Sequence, residues 1–557
     1  MNSVPAKILL SIGVLTSPLL SQDDHLSTTE SVQVNKHYDS VVAPPIQKMN
    51  TPKIWEGEKL GVGEINVPIS TNDPLVQKHV RQGFLLLHAQ WDIEAYRHFS
   101  AALKREPDCL MAYCGIVLSL VHPEHEWKGY RASAINRMFT LAEHKNGDVF
   151  SFPENERDYA LAIGALVVNG LPGGAASFNI LSEKYPNDIQ LSLIDPFLNR
   201  GGYDVFGNAS SKQQQAIEDV KVILDKNPTN VLVTNFYVMM QVEAPSNAID
   251  QKKEILPYAK KLVEDGGEDF PGWQMNLGFA AWRSGEMELA RDAFLKAVKL
   301  YEEWKTESGA KISECDALIR AYSFLAVVHY QMGDIKLSDA VLEKLDEAKN
   351  ARKTSAVYVY HAWRYDMIKV NMLIADAAGG DKQAIKKMLK QLPKINTKDN
   401  AKEVKNKLVK AYQAYGLARD FHNKGNEDES FRMNQLLAKL GQELTKSQSD
   451  HRGKPYYGHY LVLLQSLKAY RGEFLAETAG ENGAYGFYQE AIDKQLLPNR
   501  YFPPNIMYPI EFKLAQYFEK KGDLQRARET YNLAYQRMPS HKKTKEAYEK
   551  FKAIYRE

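Results

Sequence analysis

Cysteine is nearly missing from this chain, with three in 557 residues. Three thiols cannot build a disulfide framework or a multi-cysteine metal cluster. An excess of one charge is missing too, because 71 Lys and Arg face 69 Asp and Glu. Without a basic surplus, nucleic acid is not expected as a partner. No apolar run approaches the ~20 residues of a membrane-spanning helix, so no integral membrane span is expected. No segment sustains the apolar/polar alternation of a half-buried strand. The common enzyme signatures are absent: there is no His-Glu-x-x-His, no phosphate-cradling glycine loop ending in Gly-Lys-Ser/Thr, no Gly-x-Ser-x-Gly and no dinucleotide fingerprint. What is present is apolar material, 44% of the residues, which is enough for a large core and excludes a disordered chain.

The first residues read as a targeting segment. Lys7 precedes the short apolar run Ile8 to Leu15, and small or polar residues follow to Ser21. This is the pattern of an export signal over residues 1–21, which places the mature chain in the periplasm or outside the cell. Residues 22–71, rich in Ser, Thr, Pro and Asp and broken by Pro44-Pro45, read as a linker.

From residue 72 to 557 helical patterns follow one another. Four stretches share one arrangement of large and small residues with a period of about 34 residues. In 76–109 it gives Gly83, Leu86, Ala95, Phe99, Ala102 and Pro107; in 271–304, Leu277, Gly278, Ala281, Ala290, Phe294 and Ala297. In 319–352 it gives Tyr322, Leu325 and Ala326, with Ser338 and Leu345 in place of the small alanines; in 508–541, Leu514, Ala515, Phe518, Ala527, Tyr531, Ala534 and Pro539. Small residues fit where two antiparallel helices approach closely, large ones fill the hole between successive pairs, and proline ends the second helix. The turn between helices is marked by Gly285, Gly333 and Gly522. Weaker copies start near Leu110, Tyr365 and Ala411. The pattern resembles the tetratricopeptide (TPR) repeat, and the expected fold is all-α: a TPR-like α-solenoid of about 14 stacked antiparallel helix pairs. In such an array each pair touches mainly its neighbours. Glycine-rich stretches at 170–174, 199–202 and 472–486 are expected breaks, and Gly278 is expected to face Ala290.

Some phrases carry a narrower resemblance. Gly61-Val62-Gly63 to Pro68, Gln82-Gly83, Glu94-Ala95, Pro107 to Ile116 and Pro503 to Pro509 resemble a family of bacterial, usually exported, tetratricopeptide proteins. That family carries two histidine pairs on successive helices. The aligned positions here are Phe236, Met240, Met275 and Phe279, none of which suits a divalent metal, so this chain reads as a divergent member without metal or cofactor.

The remaining constellations are weaker. His122-Pro123-Glu124-His125-Glu126 reads as a polar loop, and Cys109 and Cys114 as core. Between Asp381 and Lys410 ten lysines face three acids, with Lys382, Lys386, Lys390, Lys394, Lys398 and Lys402 at four-residue steps; Pro393 divides the segment into two helices, and no aromatic residue interrupts it. A solvated face is the plain reading, and the alternative is an anionic partner bound on the stripe from Lys382 to Lys402. The aromatic segments around Tyr456, Tyr485 and Tyr501 read as packing between pairs.

The expected function is a non-catalytic scaffold for a protein or peptide partner, bound on the inner face of the solenoid. The alternative is a metal-dependent or hydrolytic enzyme assembled from distant helices. First-helix residues not used for pairing are the candidate contacts: His79 and Gln82 in the first repeat, and above all Gln274, Asn276, Arg320 and Ser323.

Overall fold

The structure, a computed structural model, describes residues 65–120, 128–203, 209–243, 251–310, 315–351, 356–395, 402–451, 457–495 and 506–555. The targeting segment, most of the linker, the His122–Glu126 loop, Lys398 and the Tyr501 segment lie outside them. Ile65 and Val67, assigned by sequence to the linker, are buried, and the Thr71 hydroxyl donates to the Glu106 carboxylate. The packed chain therefore reaches back beyond residue 72.

Helix pairs follow in order. The first is α1 (Pro74–His88) and α2 (Asp92–Arg105), then α3 (Leu110–Ser119) and α4 (Lys128–Glu143). A minimal hairpin at residues 145–150 precedes α5 (Glu154–Lys184) and α6 (Ile189–Asn199); α7 (Ser211–Lys226), α8 (Val231–Val242) and α9 (Leu256–Gly266) come next. The central pairs are α10 (Pro271–Arg283) with α11 (Met287–Ser308) and α12 (Asp316–Met332) with α13 (Ile335–Ala351). After them come α14 (Ala356–Ala378), α15 (Ala384–Gln391), α16 (Lys402–Asn423), α17 (Glu427–Lys446), α18 (Tyr457–Thr478) and α19 (Gly480–Lys494). The chain closes with α20 (Ile510–Lys520), α21 (Leu524–Arg537) and α22 (Lys542–Ile554). This is the all-α solenoid that the repeat spacing requires.

Local chemistry sets the ends of these helices. Asp73 caps α1, its carboxylate accepting from the Leu75 amide at 2.9 Å while Pro74 opens the first turn. Asn230 does the same for α8 and Asp523 for α21. Within pairs the small residues act as the pattern implies. A methyl on Gly83 would stand 2.5 Å from the Phe99 ring, and one on Gly115 of the following helix 2.2 Å from that same ring. Phe99 thus fills the hole between consecutive pairs. Gly278 repeats this arrangement with Phe294 at 2.7 Å, so its partner is Phe294 rather than Ala290, which is buried one turn earlier.

Three further points refine the sequence reading. Gly170 leaves helical geometry (φ 75°, ψ −172°) and bends α5, the described helix long and apolar enough to cross a membrane by composition. The bend divides it into two shorter helices packed within the solenoid. The glycines from 472 to 486 do not form a loop: α18 and α19 meet at Ala479, and Gly472 serves close approach instead, since a methyl there would stand 3.0 Å from Ala491. Finally, the pairs do not touch only their neighbours. The superhelix coils tightly enough that α2 packs on α11, Arg97 bonding to Ser308 and Trp304 to Glu94 across 210 residues of sequence. Pro539 likewise rests against the Gly285 turn, and Gln331 against Met538.

Candidate functional site

The seam between the first repeat and residues 271–304 is the most distinctive place in the fold. Trp91, at the entry to α2, meets Phe270, Tyr301 and Trp304 with ring centroids 5.8, 5.4 and 5.2 Å away. Below it lies a buried polar core. The Trp304 indole N–H donates to Glu94 Oε2 at 2.7 Å, Arg97 Nε lies 3.4 Å from the same oxygen, and an Arg97 amino group donates to the Ser308 carbonyl at 3.0 Å. His98 sits 3.9 Å from the other Glu94 oxygen and 3.2 Å from His79. A charged cluster this deep persists only because its members answer one another.

Beside this core a small recess of about 20 Å³ opens to solvent. Met275, Phe279 and Tyr301 give it apolar walls, with Gly272 and Ala89 also in its lining. Two polar side chains complete it, Gln90 from the turn between α1 and α2 and Arg320 from α12. Gln90 is unusual. In the matching turns of the other clear repeats the residue with positive φ is glycine, at Gly285, Gly333 and Gly522 (φ 77°, 93° and 77°). Here a glutamine holds φ 60°, the single positive-φ residue other than glycine among the described residues. A left-handed backbone costs a side-chain-bearing residue ~1–2 kcal/mol, so a glycine would have served the turn better. The Gln90 amide oxygen is also buried without a hydrogen-bond partner. A strained residue at the wall of a recess, where the other clear repeats have glycine, is a candidate mark of function. Its signal was present in the sequence, as a missing glycine at a repeat position.

The four residues singled out from sequence part company here. Arg320 is half-buried and lines the recess. Gln274, Asn276 and Ser323 do not form an open surface: they are 5%, 2% and 0% exposed. Gln274 donates to the Glu268 carbonyl at 3.0 Å, Ser323 to the Arg320 carbonyl at 2.7 Å, and Asn276 to Asn235 at 2.8 Å; Asn235 in turn donates to the His88 carbonyl at 3.2 Å. The reason is the tight coil, which fills the inner face at this level with α1 and α8. His79 and Gln82 are half-buried. Phe236, Met240, Met275 and Phe279, the positions aligned with histidines, are buried apolar packing, Met275 and Phe279 doubling as recess wall. Among the described residues no group of three or more His, Cys, Asp or Glu is arranged to hold a metal ion.

A second polar cluster lies far along the chain. Glu473, fully buried, accepts from the Tyr508 hydroxyl and lies 3.9 Å from Arg419, which bonds Glu477 at 2.9 Å. Burial pushes the Glu473 carboxyl up to about 7. Near the seam, burial holds the His88 imidazole down at about 4, its Nε2 facing Gln190 Oε1 at 3.0 Å. All three cysteines are buried, and none is in a disulfide.

Residues 274–303, the α10 and α11 pair that walls the recess, match the family model of the tetratricopeptide repeat. This stretch is a tetratricopeptide repeat. No curated protein matches the chain. Among solved structures, the human IFIT1 dimer with m7Gppp-AAAA is 13% identical over 93% of this chain and 96% of that one, with a TM-score of 0.32. The APC/C hetero-tetramer Cut9-Hcn1 is 15% identical over 77% and 78%, with a TM-score of 0.28. The TPR domain of P58(IPK) is 14% identical over 84% and 99%, with a TM-score of 0.18. The recess therefore lies where a tetratricopeptide repeat meets the first helix pair of its own chain.

Proposed function

We propose that this protein is a non-catalytic scaffold that binds a peptide segment of a partner protein, and that it works in the cell envelope after export. The recess supplies the chemistry. The Arg320 guanidinium takes a carboxylate, and Met275 with Phe279 offers an apolar surface for a neighbouring side chain. A segment with an acidic side chain or a free C-terminus next to an apolar residue meets both demands. The observation that carries this reading is Gln90, a residue held at positive φ on the recess wall where the other clear repeats have glycine. Export is supported by the Lys7 to Ser21 pattern.

The test is selection from a random displayed peptide library, with counter-selection on the Gln90→Gly, Arg320→Ala double variant. Enriched sequences should share a carboxylate beside an apolar residue. A selection that yields only sequences retained equally by the double variant overturns the proposal.

A further inference from the structure

We infer that the lysine row on α15 is a second interaction surface, separate from the recess, and that its partner is an extended acidic protein segment. Ala384, Ile385, Met388 and Leu392 are buried, which fixes the inner face of this short helix. Gly416 of α16 permits the close seating, since a methyl there would meet Met388 at 2.7 Å and Leu389 at 2.9 Å. The outer face is then committed to Lys382, Lys386, Lys390 and Lys394, all exposed. Leu392 keeps helical angles (φ −53°, ψ −43°), so the row runs on past the helix end into the turn at Pro393.

Three other cations of this segment are answered, while Lys402 and Lys410, on the following helix, have no carboxylate partner among the described residues. Lys387 lies 3.6 Å from Asp381, Lys407 3.1 Å from Glu443, and Lys405 is buried against Asp366 at 2.9 Å. Among the described residues the four lysines of the row have no carboxylate partner. Four unanswered like charges in single file repel one another and disfavour the helix that carries them.

The geometry of the row selects its partner. Lys386 and Lys390, four apart on α15, rise ~6 Å, and Lys382 and Lys394 extend the row into the turns before and after the helix. An extended chain places alternate side chains on one side every ~6.6 Å. A strand with Asp or Glu at every second residue therefore matches the spacing of Lys386 and Lys390, and its flanking acids lie toward Lys382 and Lys394. A lipid surface presents charge in a plane rather than a line, and a single nucleic-acid strand would want aromatic platforms for its bases, which residues 382–402 lack.

The probe is a fluorescent peptide of alternating Glu and Ala, titrated at low and at physiological salt against the full chain. Parallel titrations use oligouridylate and phosphatidylglycerol vesicles. The peptide should bind in a strongly salt-dependent manner. Replacing Lys382, Lys386, Lys390 and Lys394 together by Gln should weaken it roughly thirtyfold, with helical content unchanged and the fourfold Arg variant binding as the parent does. Arg320→Ala should leave this binding intact, so failure here and failure of the recess are read separately. Equal affinity of the Gln variant for the peptide overturns the inference, and so does binding of the oligouridylate or the vesicles in preference to it.

Discussion

Replacing Gln90 by glycine should make the protein more stable and less able to bind. The substitution removes a left-handed side-chain-bearing residue, worth ~1–2 kcal/mol, and a buried acceptor without a partner, worth ~1–3 kcal/mol. Against this, glycine loosens the unfolded chain by ~0.5–1 kcal/mol, and the apolar part of the glutamine stem loses its contacts. The balance favours Gln90→Gly by about 1–2 kcal/mol. Urea unfolding followed by circular dichroism reads the change as a higher midpoint at constant slope. The mirror substitution supplies the scale. Gly333→Gln places a glutamine at φ 93° in an equivalent turn with open space around it, and should cost about 1–2 kcal/mol. If Gln90→Gly lowers the midpoint while Gly333→Gln behaves as expected, the glutamine is a packing residue and the case for the recess fails. Function should move the other way, with selected peptides binding the stabilised variant more weakly, as expected of a site that holds strain for its ligand.

Other consequences follow from the same geometry. Gly83→Ala drives a methyl into a Phe99 ring that Gly115 prevents from retreating, and should cost about 1–3 kcal/mol; combining it with Phe99→Leu should recover part of that loss, and strict additivity would show that the two do not touch. Arg97→Leu leaves Glu94 buried beside Trp304 and should destabilise the seam by ~3–5 kcal/mol, seen as early proteolysis between the first repeat and the rest of the solenoid. The folded-state value of about 7 for Glu473 lies above its ordinary 4.5, so the folded protein holds that proton more tightly and its stability declines as pH rises from about 4.5 to about 7. Glu473→Gln lacks this decline, so its stability relative to the parent should grow across that window; a constant difference counts against the assignment. His88 acts with the opposite sign, its folded value of about 4 lying below 6.5, so the part of stability it controls is lost as pH falls from about 6.5 to about 4 and should be absent in His88→Gln.

The helix pairs were legible because each rests on local spacing. Gly83, Ala95 and Phe99 are fixed relative to one another by the helical repeat, and so are Gly278, Ala290 and Phe294. Which residues met across a pair was less so: the register put Ala290 opposite Gly278, while the longer Phe294 side chain reaches that place. Closure of the coil was not legible. The meeting of Trp304 with Glu94 depends on small rotations summed over several pairs, which no single repeat encodes. That blindness explains the site. Ser323 bonds the backbone of its own helix, Gln274 the backbone just before α10 and Asn276 the Asn235 side chain of α8, and Arg320 alone of the four reaches the recess. Gln90 stood in the sequence throughout as the one clear repeat turn without glycine, a sign that compares repeats with each other rather than with a consensus.

The most direct test of the recess is the affinity of a selected carboxylate-bearing peptide for the parent and for Arg320→Ala, measured by fluorescence anisotropy on the full chain. Arg320 supplies the guanidinium for the carboxylate, and removing it leaves that carboxylate desolvated on the wall formed by Met275 and Phe279. The account predicts at least ~tenfold weaker binding with unchanged helical content, and little effect when the peptide carboxylate is amidated in the variant background. Equal affinities for the parent and Arg320→Ala would contradict it.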